Sequence, residues 1–279
     1  MCRRLILLSV FFALFVVIGT IHAADNETKR SISIEGPFDP LKALKLLYGT
    51  LTPSEKEGND ESVIWQNVRV PEPLANYFDS IPRGKVSVIF DAPFRQNNFE
   101  KHMIITATVP TGEHYECHAC APLIGGAVFR QSGRRWVLEA ANKYVTVTGK
   151  FGSTDREVIR FAKIGPSRYG VIFQGDDVHQ GYISNYVSLI VPYGKFLVQA
   201  LEFFVEGPGD AACPDNAGEG FGNFEEQGID VRYVKGESQT SYYDIETIVR
   251  YNSGPCGQVK AVKEARYFRF IDGKYERIK

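Results

Sequence analysis

From Lys85 to the C-terminus the chain is a succession of short runs rich in β-branched and aromatic residues, separated by Gly, Asp and Pro. They read "KVSVIFD", "HMIITATV", "RWVLEAA", "KYVTVTGKF", "EVIRFAKI", "RYGVIFQ", "GYISNYVSLIV", "KFLVQALEFFVE", "IDVRYVK", "YDIETIVRYN", "QVKAVK", "ARYFRFI" and "KYERI". About thirteen strands with little helix between them predict a mainly β protein of antiparallel sheets, built as a sandwich, a barrel or an irregular propeller-like body. The last two runs are joined by Asp272-Gly273, a dipeptide suited to a two-residue hairpin turn. That register sets Arg269 opposite Glu276 and Phe270 opposite Tyr275, an ionic pair on one face and an aromatic pair on the other.

The N-terminus is of a different kind. Arg3 and Arg4 precede an apolar run of 14 residues, "LILLSVFFALFVVI", and Ala23 with Ile21 offers a cleavage site. Residues 1–23 therefore read as a secretory signal peptide, since the run falls short of the ~20 apolar residues that span a bilayer. Residues 24–80 form a lead-in. In it "DPLKALKLLYG" (39–49) has a proline at its start and the leucine spacing of a short amphipathic helix, and "PLANYFDSI" has room for another helical turn. Residues 81–279 form the antiparallel β domain. Loss of Arg3 and Arg4 would take the formal charge from −1 to −3. A mildly acidic chain without basic clusters argues against nucleic acid as a partner.

Four cysteines follow the leader: Cys117, Cys120, Cys213 and Cys256. An even number in an exported chain predicts disulfides, with 117–120 and 213–256 as the favoured pairing. The segment "GEHYECHACAPLIGG" (112–126) also supports two other readings. Cys-x-x-Cys is the spacing of thiol–disulfide oxidoreductases, but those need a helix after the motif, and Pro122, Gly125 and Gly126 suit turn and strand better. His114, Cys117, His118 and Cys120 make a candidate zinc or copper set, opposed by oxidation of the thiols on export. In the loop 206–230, Asp210, Asp215, Asn216 and Glu219 with Glu225, Glu226 and Asp230 make a candidate calcium loop without EF-hand spacing. "QGDDVHQG" (174–181) brings Asp176, Asp177 and His179 together, and His102 at the head of a strand reads as a surface or edge residue. No Gly-x-Ser-x-Gly elbow or believable Ser, His and carboxylate set is present.

"CHACAPLIGGAVF", the strand carrying Trp136, and "KIGPSRYGVIFQGDDVHQGY" together resemble an uncharacterised group of secreted bacterial β-rich proteins. These carry a Cys-His-x-Cys segment and end in a strand–DG–strand hairpin. The similarity spans roughly residues 100–279, implies export and a bacterial source, and brings no known activity. The functional expectation is a non-enzymatic binding protein, periplasmic or secreted, that needs no cofactor and takes a protein or glycan partner through its loops. The alternative is a metal- or thiol-dependent enzyme centred on Cys117–Cys120.

Overall fold

Three antiparallel meanders follow one another along the chain, and each becomes one sheet. The computed structural model describes residues 32–49, 62–76, 78–111, 120–154, 158–179, 182–208, 228–235, 241–254 and 259–279. After a short strand β1 (Ser33–Glu35) comes helix α1 (Pro40–Tyr48), then β2 (Ser62–Val68) and a single 3₁₀ turn at Leu74–Asn76. The first meander continues through β3 (Ile81–Gln96), β4 (Phe99–Pro110), β5 (Leu123–Ser132) and β6 (Arg135–Val147). The second holds β7 (Val158–Gly165), β8 (Arg168–His179), β9 (Tyr182–Tyr193) and β10 (Phe196–Pro208). The third holds β11 (Gly228–Val234), β12 (Asp244–Ser253), β13 (Lys260–Ile271) and β14 (Lys274–Arg277).

The strand orders are β1-β6-β5-β4-β3-β2, β10-β9-β8-β7 and β11-β12-β13-β14. Apart from the pairing of β1 with β6, every ladder joins strands consecutive in the chain. The expected mainly β, antiparallel architecture is thus present, in the form of stacked sheets of which the first curls into a half-barrel. The C-terminal hairpin has the register read from Asp272-Gly273, with Arg269 opposite Glu276 and Phe270 opposite Tyr275. Both turn residues have positive φ, 45° and 93°, as this turn demands. Arg269 also reaches across to Asp244, with Nη2 3.0 Å from Oδ2.

Two of the twelve boundaries expected between these runs vanish. "RWVLEAA" and "KYVTVTGKF" run together in β6, and "QVKAVK" and "ARYFRFI" in β13. The lead-in contributes more than helix, because β1 and β2 are the two edge strands of the first sheet. Helix α1 starts where the sequence places it. Asp39 caps it by accepting from the Lys42 amide at 3.1 Å, and Gly49 ends it with φ 103°.

Side-chain alternation sorts the strands into layers. Ile104, Leu123, Ala127 and Phe129 of the first sheet meet Leu44, Leu47 and Tyr48 of α1. Their immediate neighbours Met103, Ile105, Ile124 and Val128 point the other way, onto Val171, Phe173 and Ile190 of the second sheet. On that sheet Ile172, Leu189 and Val191 point away again, onto Ile245, Val249, Phe268 and Phe270 of the third. The order is helix, sheet, sheet, sheet, with three apolar interfaces.

Tyr48 fixes the helix in the half-barrel. Its hydroxyl lies 2.7 Å from Thr106 Oγ1 in a buried pair, and its ring meets Trp65 edge-on at 5.1 Å. Gly125 leaves room for it, since a Cβ there would stand 2.5 Å from the Tyr48 hydroxyl. The glycine in "LIGGAVF" thus serves close approach within a strand.

Burial pushes the Tyr48 phenol well above its ordinary range, partly offset by the Thr106 hydrogen bond. Burial also raises Tyr275, Tyr242 and Tyr144, and pushes Tyr233 up to about 12. An unfolded phenol ionises near 10, so these groups support folding fully below that pH and progressively less as pH rises through their folded values. The urea midpoint is expected to hold to about pH 9.5 and then to fall steeply toward pH 12. Phenolate absorbance should show a set of tyrosines that ionise only as the fold opens; a midpoint flat to pH 12 would contradict this burial.

Candidate functional site

Of the residues the sequence nominates as disulfide, metal or calcium positions, only Cys120 and Asp230 lie among the described residues, and Asp230, on β11, pairs with Arg250, Nη1 standing 2.7 Å from Oδ2. His114, Cys117, His118, Cys213, Cys256, Asp210, Asp215, Asn216 and Glu219 lie outside them. The Cys120 carbonyl accepts from the Gly152 amide at 2.6 Å. Asp176 sits on β8 with its carbonyl accepting from Lys150 Nζ at 3.0 Å; the side chains of Asp177 and His179 are outside the described set. Among the described residues no group of three or more His, Cys, Asp or Glu side chains is placed to hold a metal.

Two polar clusters are built into the first sheet. His102 is no surface residue: its side chain is 12% exposed, its ring stacks on Phe38 at 3.9 Å, and Nε2 lies 2.9 Å from Asp91 Oδ2. Phe38 also meets Trp136 edge-on at 5.3 Å. The imidazole therefore clips the approach to α1 onto β4, and Asp91 satisfies its outer nitrogen. The second cluster centres on Lys101, whose buried ammonium donates to Gln96 Oε1 at 2.9 Å and pairs closely with Glu139. Glu139 also faces Arg130 Nε at 3.6 Å, and Gln96 donates onward to the Ser167 carbonyl at 2.5 Å. This network ties the first sheet to the β7–β8 turn. Both clusters are internally satisfied and read as structural.

The open site lies where the second sheet extends past the first. Beyond the end of β6, residues 120–122 and 148–153 cross-link into a rim: the Thr148 amide donates to the Pro122 carbonyl at 3.3 Å, and Lys150 and Ser153 bridge. Gly149 has φ 100°, and a Cβ there would strike the Ser153 carbonyl oxygen. Between this rim and strands β9 and β10 is a cleft of about 280 Å³, lined by Thr148, Tyr186, Ser188, Glu202 and Phe204 among others.

The face that carries the cleft follows from strand periodicity. The ladder between β9 and β10 is regular here, pairing Glu202 with Ser188, Phe204 with Tyr186, and Glu206 with Ser184. Glu202, Phe204 and Glu206 share one face, and all three are exposed. Phe203 and Val205 point the other way, into the third sheet, where Phe203 stacks on Phe268 at 5.5 Å. Phe204 is 68% exposed and lies directly opposite Tyr186, with Tyr182 on the same face 44% exposed. Tyr186 lies over Gly175, where a Cβ would stand 2.5 Å from the phenol oxygen. Glu202 has no hydrogen-bond or ion-pair partner among the described residues, while Glu206 accepts from Ser184 Oγ at 3.3 Å.

Sequence reasoning passes over these residues, although "LEFFVE" holds a signal: two consecutive phenylalanines in a strand must point to opposite faces. No protein-family model, no curated protein and no solved structure matches the chain. What the arrangement offers chemically is an aromatic platform bordered by carboxylates, suited to holding a ligand.

Stability should separate the built clusters from the open one. Glu139→Gln strips the charge partner from a buried ammonium and is expected to cost about 1–3 kcal/mol. Glu202→Gln touches no partner and should change stability by less than about 0.5 kcal/mol. Urea unfolding of the two variants checks this, and an equal loss in both would contradict the assignment of Glu202 to an open site.

Proposed function

We propose that this protein is an exported binding protein whose partner, a protein or a glycan, is held on the β9–β10 face. One observation carries the reading: Phe204 stands two-thirds exposed in the middle of a regular strand, paired with Tyr186 and continuous with a cleft. Single exposed apolar residues are ordinary, but an aromatic pair on a concave face, with polar groups converging on it, is the usual make-up of a binding site. The aromatic rings suit either the apolar face of a sugar or the side chains of a peptide, and Glu202 and Thr148 supply the polar contacts.

The setting is proposed to be periplasmic or extracellular, on the strength of the leader at residues 1–23 and the resemblance to secreted bacterial proteins. Such a compartment is oxidising, and the cysteines then pair as 117–120 and 213–256. Bridging Cys117 to Cys120 would brace the 120–122 rim of the cleft. Under denaturing alkylation without reductant, the intact mass of the mature chain should show no thiol modified; two or four modified cysteines would overturn this pairing.

Binding itself is tested with soluble oligosaccharides and short peptides titrated onto the mature chain. A saturable ligand should lose about tenfold or more in affinity with Phe204→Ser, as expected for loss of an aromatic anchor, while the urea midpoint stays in place. Equal affinity for the two proteins would remove the β9–β10 face from the function.

A further inference from the structure

We propose that the ligand of this face is a cationic peptide segment that adds as a strand to the outer edge of β10; the inference rests on the binding reading above. β10 is the last strand of its sheet. Near Phe196 its outer side is occupied, since the Ala141 amide donates to the Lys195 carbonyl at 3.1 Å and Asn142 Nδ2 to the Leu197 carbonyl at 2.9 Å. Over residues 201–206 the only backbone ladder among the described residues is the one with β9. An open edge of this kind is a template for a further strand, with main-chain hydrogen bonds giving affinity and alternate side chains giving specificity.

The side chains along that edge define the complement. On the cleft face they run Glu202, Phe204, Glu206, two carboxylates four residues apart, which is about 13 Å at roughly 3.3 Å per residue. An added strand places its own side chains about 5 Å from these, as cross-strand pairs. The matching sequence has Lys or Arg at two positions four apart and an apolar residue between them. Neither carboxylate has a cation in the described structure, and Phe204 with Tyr186 can also receive the flank of an ammonium or guanidinium group.

A second copy of this chain is the poorest occupant. Antiparallel pairing of two β10 edges about Phe204 would set each Glu202 against a Glu206, and like charges directly opposite one another are destabilising. The same charges that discourage self-pairing therefore select a basic strand.

The test uses fluorescein-labelled ten-residue peptides and fluorescence polarisation with the full mature chain. One peptide carries Lys-Thr-Leu-Thr-Lys within Ser/Thr flanks; its controls replace both lysines by Thr or by Glu. The lysine peptide should bind saturably, at least tenfold more tightly than either control. Its affinity should fall about tenfold in the double variant Glu202→Gln, Glu206→Gln, and fall again between about 20 and 300 mM salt. Urea unfolding confirms that the double variant keeps its stability. Equal binding of the three peptides, or unchanged binding by the double variant, overturns the proposal. Should the neutral peptide or an uncharged oligosaccharide bind instead, in a manner lost with Phe204→Ser, the cationic ligand is wrong and the binding face stands. If no probe binds in a way that depends on Phe204, both fall together.

Discussion

The rest of the structure depends on the second sheet being covered on both faces. Val171, Phe173 and Ile190 face the first sheet while Ile172, Leu189 and Val191 face the third, so adjacent residues of β8 and β9 contribute to different cores. Of the two outer sheets, the first also covers its own far side. The first curls around α1, with Tyr48 and Thr106 paired in the buried interface and His102 clipped between Phe38 and Asp91. The third faces the second through Phe268, Phe270 and Tyr275, with Tyr242 stacked on Phe270 at 3.7 Å. Burial of the middle sheet is thus the common term in two of the three interfaces, and a loosened middle layer would uncouple both.

What was legible in the sequence was local. Asp272-Gly273 announces its hairpin because only a few dipeptides adopt positive φ twice in succession, and Asp39-Pro40 with Gly49 marks both ends of α1 by capping chemistry. The layering was not legible. A run such as "MIITA" in β4 is buried on both faces, Met103 and Ile105 on one and Ile104 on the other, so the period of two that would show an inside and an outside is absent. β2 escaped notice for another reason: "SVIWQNV" lies between a charged loop and a proline-rich stretch, and its partner β3 is needed to make it a strand. The motifs that draw the eye, Cys-His-x-Cys and the acidic loop, draw it by composition. The candidate site is built from commonplace residues, Glu202, Phe204 and Tyr186, that meaning enters only through register.

The site exists because two coverings of the same strand stop at different places. On the side of the third sheet, Phe203 is half-buried, Val205 is buried, and Gly207 lies so close to the Asn252 carbonyl that a side chain would not fit. That packing holds the far half of β10 straight and ordered. On the side of the first sheet, cover ends with Val147 and the 148–153 rim, so Phe204 of the same ordered strand faces solvent. A platform packed on one face and bare on the other loses little conformational entropy when a ligand settles on it, which is the condition under which a small aromatic and carboxylate set can bind selectively. Edge strands are commonly guarded by charge, and Glu202 and Glu206 alone would fit that role. Phe204 between them does not, because a large apolar ring at the centre of an open edge invites the association that guarding residues prevent. The combination admits a partner while excluding the chain's own copy, and recognition accounts for both features where edge protection accounts for one.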